Sequence, residues 1–328
     1  MKKLAAIFLA VLLTAGLLSG CSTGSEDTVT VKVSEVAHSV FYAPQYVAMS
    51  QGFFAEEGLD IELLNGGGAD KVMTSVLTGE VDVGLAGPEA CIYVLLEGRE
   101  DAPRIFAQLT NCDGAFLVGR TDEDFSWENL RGKTVIGGRK GGVPEMTLEY
   151  VMKQNGVEPH VDAVVDTSVQ FNMMAGAFTG GNGDYVALFE PTATEVELAG
   201  QGYVLCSIGA ESGEIPYTAY FAAQSFMDEN PDTVQKFTNA IAKGQQWVQE
   251  HSDLEVAQAI ADQFPDTDLS VLEQVAARYR SIGAWKTDPT MDEADFSRLM
   301  DVMESAGELD SRVPFADFTT NQFASKAK

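Results

Sequence analysis

From Thr28 onward, short apolar runs of strand length alternate with longer segments of helical period, and this alternation constrains the fold more than any other feature. It specifies α/β layers around mostly parallel sheets, because parallel strands need crossover helices that then cover the sheet faces. Val29–Val36 reads as a strand, Ala43–Gly52 as a helix stopped by glycine, and Ile61–Leu64 as a strand running into Gly66-Gly67-Gly68. Asp70–Leu77 and Glu89–Leu96 read as helices around a strand at Val81–Leu85, and strands at Ile105–Leu109 and Ala115–Val118 close the block. After an acidic, turn-rich stretch at Thr121–Ser126, a second block repeats the scheme. It has strands at Thr134–Ile136, Ala163–Val165 and Tyr185–Phe189, with helices from Pro144 to Asn155 and over Val169–Phe178. Proline at a first helical position is a sound start signal. Beyond about Ser212 the pattern changes: one strand at Tyr217–Ala223 precedes helices over Pro231–His251, Leu254–Phe264, Leu269–Gly283 and Met291–Ala306. The tail to Lys328 reads as a surface strap.

A short internal echo links the two blocks. Leu77-Thr78-Gly79-Glu80-Val81-Asp82-Val83 leads to Gly87-Pro88-Glu89, and Phe178-Thr179-Gly180 with Asp184-Tyr185-Val186 leads to Phe189-Glu190-Pro191. Both read as helix, Thr-Gly turn, aspartate, apolar strand and a proline-marked exit. Ligands of open α/β sheets collect at such strand exits, outside the carboxyl ends.

The first twenty residues read as an address. Lys2 and Lys3 precede an apolar run of 15 residues, Leu4–Leu18, short of the roughly 18–20 needed to span a bilayer. Leu18-Ser19-Gly20-Cys21 then resembles the cleavage site of a bacterial lipoprotein signal, with Ser22–Asp27 as a loose polar stretch. The expectation is a signal peptide at 1–20, a tether at 21–28 and an extracytoplasmic protein held to the membrane by lipid on Cys21; an ordinary secretory signal with a chance cysteine is the alternative. The net charge is −28, from 21 Lys and Arg against 49 Asp and Glu. Such a surface repels phosphate backbones and anionic lipid, which argues against a nucleic-acid partner and against electrostatic docking on membranes. Cys91, Cys112 and Cys206 are odd in number, match no zinc or C-x-x-C spacing, and each lies in an apolar stretch. They read as small buried hydrophobes.

Four motifs in order carry a family resemblance. Tyr42-Ala43-Pro44-Gln45-Tyr46-Val47-Ala48 and Gly52-Phe53-Phe54-Ala55-Glu56-Glu57-Gly58-Leu59-Asp60-Ile61-Glu62-Leu63 are followed by Leu130-Arg131-Gly132-Lys133-Thr134-Val135 and Leu188-Phe189-Glu190-Pro191. Over about Val29 to Ala223 the chain resembles solute-binding proteins of ABC importers, in the branch for nitrate, sulfonates, taurine and thiamine-pyrimidine precursors. The resemblance implies a two-lobe, periplasmic-binding-protein-like fold of type II. Lobe 1 would hold 29–118 and 214–328 and lobe 2 would hold 119–213, joined by two crossing strands. It further implies a small-molecule ligand clamped by hinge closure, a permease partner, a monomer and no cofactor. The fungal thiamine-pyrimidine synthases share this fold but carry a cysteine cluster and hold pyridoxal phosphate on a lysine. This chain lacks the cysteine cluster. A receptor feeding a signalling membrane protein is a third class.

Candidate ligand residues fall at the expected strand exits. His38, Ser39, Phe41 and Tyr42 follow the first strand, where the aromatics suit a flat ligand or, alternatively, pack the next helix. Gly67, Gly87 and Glu89 present amides and a carboxylate at helix starts, which suits an anion or carbonyl or is plain turn geometry. Gly137-Gly138-Arg139-Lys140-Gly141-Gly142 lacks the phosphate-loop pattern. Gly138, Arg139, Gly141 and Gly142 fall instead at the second lobe's ligand loop, with Gln170, Phe189 and Glu190 completing the rim. Asn111, Asp113 and Tyr217 mark the crossings. His160 and His251 read as surface residues. The acids Glu89, Asp113, Glu145 and Glu190 disfavour an anionic ligand, because an unpaired carboxylate facing an anion in a closed cleft costs several kcal/mol. A neutral or cationic, flat, nitrogen-containing ligand such as a pyrimidine is the expectation, and a sulfonate-like anion the alternative.

If acyl chains on Cys21 hold the protein, Cys21→Ser moves it from the membrane fraction to the soluble fraction, since lipid supplies the binding. Cell fractionation decides this, and membrane retention of that variant overturns the lipoprotein assignment.

Overall fold

The computed structural model describes residues 28–327. The expected signal peptide and Cys21 lie outside the described residues, as does all of the tether but Thr28. Ten strands follow in order: β1 (Val29–Glu35), β2 (Leu59–Asn65), β3 (Val83–Ala86), β4 (Arg104–Thr110), β5 (Ala115–Gly119), β6 (Thr134–Ile136), β7 (Val164–Asp166), β8 (Tyr185–Phe189), β9 (Tyr203–Ser207) and β10 (Thr218–Ala222). They form two five-stranded sheets, ordered β2-β1-β3-β10-β4 and β7-β6-β8-β5-β9. β1 runs parallel to β2 and β3, and β6 to β7 and β8. The fourth strand of each sheet, β10 or β5, is antiparallel to both neighbours. These two strands are the crossings. Each leaves one lobe and completes the sheet of the other.

The pairing moves the first crossing. β5 pairs with β8 and β9, so the chain changes sheets at 111–114, and the expected boundary at 118/119 falls inside β5. An apolar strand reads the same in either sheet, which is why the sequence misplaced it. The C-terminal helices also depart from a simple assignment of 214–328 to lobe 1. Helix Pro231–Glu250 packs on helix Ala43–Ser50 of lobe 1, whereas helix Glu293–Ser305 packs on helix Val143–Gln154 of lobe 2. The tail is more than a strap. Thr319 bridges Ile105, its hydroxyl donates to the Ile105 carbonyl at 3.1 Å, and Phe318 and Phe323 are buried. It covers the free edge of β4, which would otherwise present unpaired backbone groups.

Other departures are local. β9 and the helices Thr192–Leu198 and Ile208–Ser212 were not legible, and the helix expected over Val169–Phe178 begins only at Met174, after a 3₁₀ turn at Phe171–Met173. The internal echo proves structural. Asp82 accepts from the Lys32 amide at 2.8 Å while its own amide donates to the Lys32 carbonyl; Asp184 does the same with Thr134 at 2.9 Å. In both lobes the aspartate extends the ladder ahead of the third strand.

Between β4 and β5 the crossing is cemented by buried aromatic rings. Phe41 is fully buried against Tyr42, Phe189, Tyr217 and Tyr279, with ring centroids 5.1–5.8 Å apart. A Cβ on Gly114 would lie 2.7 Å from the Phe41 ring, so only glycine fits there. Beside it the Asp113 carboxyl accepts the Ala115 amide at 2.7 Å and lies against the Tyr217 hydroxyl. Burial pushes this carboxyl up to about 8 from its ordinary value of 3.8. The folded state therefore keeps a proton that the unfolded chain has lost above its ordinary value, so this group's contribution to stability falls as pH rises from about 4 to about 8. Asp113→Asn mimics the protonated form. Denaturant midpoints at pH 5 and pH 8 should differ less in the variant than in the wild type, and the variant should be the more stable at pH 8.

Candidate functional site

The carboxyl ends of the parallel strands of both sheets converge on one cavity between the lobes. Its free space is about 590 Å³, open solvent at the mouth included. Lobe 1 contributes Val36 after β1, Gly67 to Asp70 after β2, and Gly87 and Glu89 after β3. Lobe 2 contributes Gly138, Arg139 and Gly142 to Pro144 after β6, Gln170 and Phe171 after β7, and Phe189 at the end of β8. Tyr42, and Tyr217 with Thr218 at the start of β10, close the floor. The walls are mainly apolar and aromatic, with few polar groups, the usual make-up of a small-molecule site.

Several contacts bridge the lobes in and beside this cavity. The Ser39 hydroxyl donates to the Glu190 carbonyl, and the Tyr93 hydroxyl donates to the Gly141 carbonyl at 2.9 Å. The Val143 amide donates to Glu89 Oε1 at 3.2 Å, and the Arg139 guanidinium lies 3.8 Å from Asp70. Arg139 also donates to the Lys140 carbonyl at 3.1 Å. The cleft is closed.

Glu89 is the one buried acid with free capacity in the cavity wall. Its side chain is wholly buried, and Oε2 has no hydrogen-bond partner. The amides of Glu89 and Ala90 lie close enough to favour its charge without reaching Oε2 in bonding geometry. Burial raises this carboxyl above its ordinary value, while the Val143 amide and the Arg139 charge pull it back. The side chain folds over Gly87, where an added Cβ would sit 2.1 Å from Oε2. Glycine at 87 is therefore a condition for this carboxylate position.

Ten of the expected ligand residues line the cavity: Tyr42, Gly67, Gly87, Glu89, Gly138, Arg139, Gly142, Gln170, Phe189 and Tyr217. Seven do not. Phe41 packs the crossing, and Asp113 is buried there beside it. Asn111 lines a separate cavity with Cys112 and Arg280. Gly141 is turned to Tyr93 and Glu145, accepting from the first and donating to the second at 3.1 Å. His38, Ser39 and Glu190 border an adjoining groove. His38 bonds Glu35 through Nδ1 at 2.7 Å and the Gln263 carbonyl through Nε2 at 2.8 Å. With an acceptor on each nitrogen the ring favours its doubly protonated form, and the Glu35 carboxylate raises its proton affinity. Glu190 is wholly engaged: Arg278 donates to it at 2.7 Å, and the Thr194 hydroxyl and amide donate at 2.9 Å each. Its expected role as a ligand group is corrected to a tie between β8 and helix Leu269–Ser281.

Sequence reasoning missed several features. Phe171 and Val143 line the cavity without any polar or spacing signal, since apolar wall residues look like core. His160 meets Glu149 at 2.7 Å, and Glu145 joins them with ligand atoms of all three within 4.8 Å. This is the one set among the described residues that could hold a metal, and its i, i+4 carboxylates were readable from the helix. Burial and the Glu149 charge push Glu145 up to about 8. Among the described residues no lysine, cysteine or histidine lines the main cavity, so the residues there do not fit a lysine-held pyridoxal phosphate.

Residues 40–254 match the family described as NMT1/THI5 like. YtlA of Bacillus subtilis, which carries the name of a binding protein, is 45% identical over 94% of this chain and 92% of its own length. The chain belongs to the NMT1/THI5-like family. More distant is the yeast (Saccharomyces cerevisiae) 4-amino-5-hydroxymethyl-2-methylpyrimidine phosphate synthase THI13, 26% identical over 63% of each chain. Among solved structures, the alkanesulfonate-binding protein SsuA of Xanthomonas axonopodis superposes with a TM-score of 0.72 at 14% identity, covering 89% of this chain and 98% of that one. The fold of this family member is thus the two-lobe periplasmic-binding-protein fold expected from its motifs. No helix among the described residues is long and apolar enough to cross a membrane.

Because Glu190 serves Arg278 and Thr194, Glu190→Gln should lower stability by about 1–3 kcal/mol and leave ligand affinity within twofold. Denaturant melts and calorimetry on the same preparation separate the two readouts. A large affinity loss with unchanged stability would return Glu190 to the ligand site.

Proposed function

We propose that the protein is the solute-binding component of an ABC importer, held outside the cytoplasm by lipid on Cys21 and working as a monomer that hands its ligand to a membrane permease. The supporting observation is the cavity itself, assembled from strand ends of two lobes between which the chain passes at the crossings. Hinge closure about such crossings is an established switching mode, in which ligand contacts stabilise the closed state. The high identity to YtlA, named as a binding protein, supports binding over catalysis. So does a cavity lining that, among the described residues, holds no lysine to form a Schiff base.

For the ligand, we favour a flat, neutral or cationic, nitrogen-containing molecule of the pyrimidine or vitamin-precursor type. Aromatic and apolar walls from Tyr42, Phe171 and Phe189 suit a planar ring. Glu89 Oε2 is an unfilled acceptor that a ring or amine N–H would complete, and a charge-assisted bond of this kind is about twice as strong as a neutral one. The distant match to pyrimidine phosphate synthases points the same way. A sulfonate reading draws on the likeness to SsuA and on Arg139, but Asp70 and the Lys140 carbonyl already engage that guanidinium.

A thermal-shift screen of the mature protein against pyrimidines, vitamin precursors, sulfonates and amino acids tests this. A ligand at 100 times its dissociation constant adds about 2.7 kcal/mol, a readily visible shift. Stabilisation by aminopyrimidines and not by sulfonates is expected. The reverse order overturns the ligand class, and turnover of a hit overturns the binding assignment.

A further inference from the structure

We propose that Glu89 acts as a resident anion, occupying from the opposite lobe the seat that a free anion would take at the amino end of helix Val143–Gln154, and thereby excludes anionic ligands from the cleft. The inference rests on reading the cavity as a ligand site, but not on which nitrogenous ligand fills it.

The amino end of an α-helix presents unpaired amides and a partial positive charge, which together make a ready anion site. This helix is 12 residues long, starts in the cavity wall, and follows the amide-rich turn Gly138-Arg139-Lys140-Gly141-Gly142. Over positions 142 to 144 two amides are committed and one is missing. Gly142 donates to the Arg139 carbonyl at 3.0 Å, Pro144 has no N–H, and the Val143 amide goes to Glu89 Oε1. Glu89 reaches this position from the start of helix Glu89–Leu96 in lobe 1, where glycine at 87 leaves room for the carboxylate. Its second oxygen is buried and unpartnered, and the residue lies in the cavity wall, so that its charge would act on an incoming anion. The cation at the mouth gives little relief, since Arg139 lies beside Asp70. A carboxylate thus fills the anion seat on one side and repels a second anion on the other.

The test removes the resident charge and offers a free anion. Mature wild type, Glu89→Gln and Glu89→Ala are titrated calorimetrically with ethanesulfonate and inorganic sulfate, and separately with 4-aminopyrimidine, after circular dichroism confirms folding. Glu89→Ala should bind ethanesulfonate or sulfate at least tenfold more tightly than wild type, and Glu89→Gln should show a smaller gain because it lifts only the repulsion. If Glu89→Ala fails to fold, the gain in Glu89→Gln decides. Wild type binding either anion as tightly as the folded variants, or folded variants gaining nothing, overturns the proposal. An anion gain accompanied by no aminopyrimidine binding to wild type upholds it while overturning the nitrogenous ligand class.

Discussion

The packing of Phe41 into the crossing holds the rest of the molecule in place. This ring joins the loop after β1, the end of β8, the return crossing at Tyr217 and the C-terminal helix at Tyr279. Tyr279 then ties the two halves by hydrogen bonds, accepting from the Glu190 amide at 3.0 Å and donating to the Gly114 carbonyl at 3.1 Å. Each aromatic pair adds about 0.5–1.5 kcal/mol beyond its burial, and the cluster contains several. The position of the two sheets relative to each other, and hence the cavity between them, follows from this joint. Gly114 is the backbone condition for it, as Gly87 is for the cavity.

Electrostatics decides the rest. A chain with 49 carboxylates buries a few of them near the cleft, and each is accommodated differently. Glu190 is neutralised by Arg278 and two donors from Thr194. Glu35 is surrounded by His38, Tyr46 and Gln45, which offset part of its burial. Asp113 holds its proton to about 8. Removing one partner of a buried ion pair costs about 3–5 kcal/mol, so such acids are fixed parts of the scaffold rather than spare ligand groups. Glu89 alone, among the acids that line the cavity, combines a structural partner on one oxygen with a buried, unpartnered second oxygen.

Much of the fold was legible in the chain. Glu89–Leu96, Thr134–Ile136 and Tyr185–Phe189 were readable to the residue, because glycine, proline and clean apolar runs bound them. β9 escaped because its strand, Tyr203–Ser207, is partly exposed and sits on an edge without clear alternation. The ligand loops were legible in outline, since strand exits in such folds face the cleft. Gly67, Gly87, Glu89, Gly138 and Gly142 were found for that reason. Phe171 and Val143 were not, because an apolar residue lining a cavity has the same sequence signature as one filling a core.

By itself, then, the sequence determined the strand and helix order, the duplicated lobe plan, and the strand ends where a ligand site belongs. These depend on local periodicity and on punctuation by glycine and proline, which neighbouring residues supply. The tertiary structure decided which sheet β5 completes and which way each acid turns. Glu89 and Glu190 stand at matching strand exits, yet one keeps an unpartnered oxygen and the other is closed by Arg278, 88 residues further along the chain. No local pattern encodes that difference, because the energy of a buried carboxylate depends on the donors that distant segments bring to it.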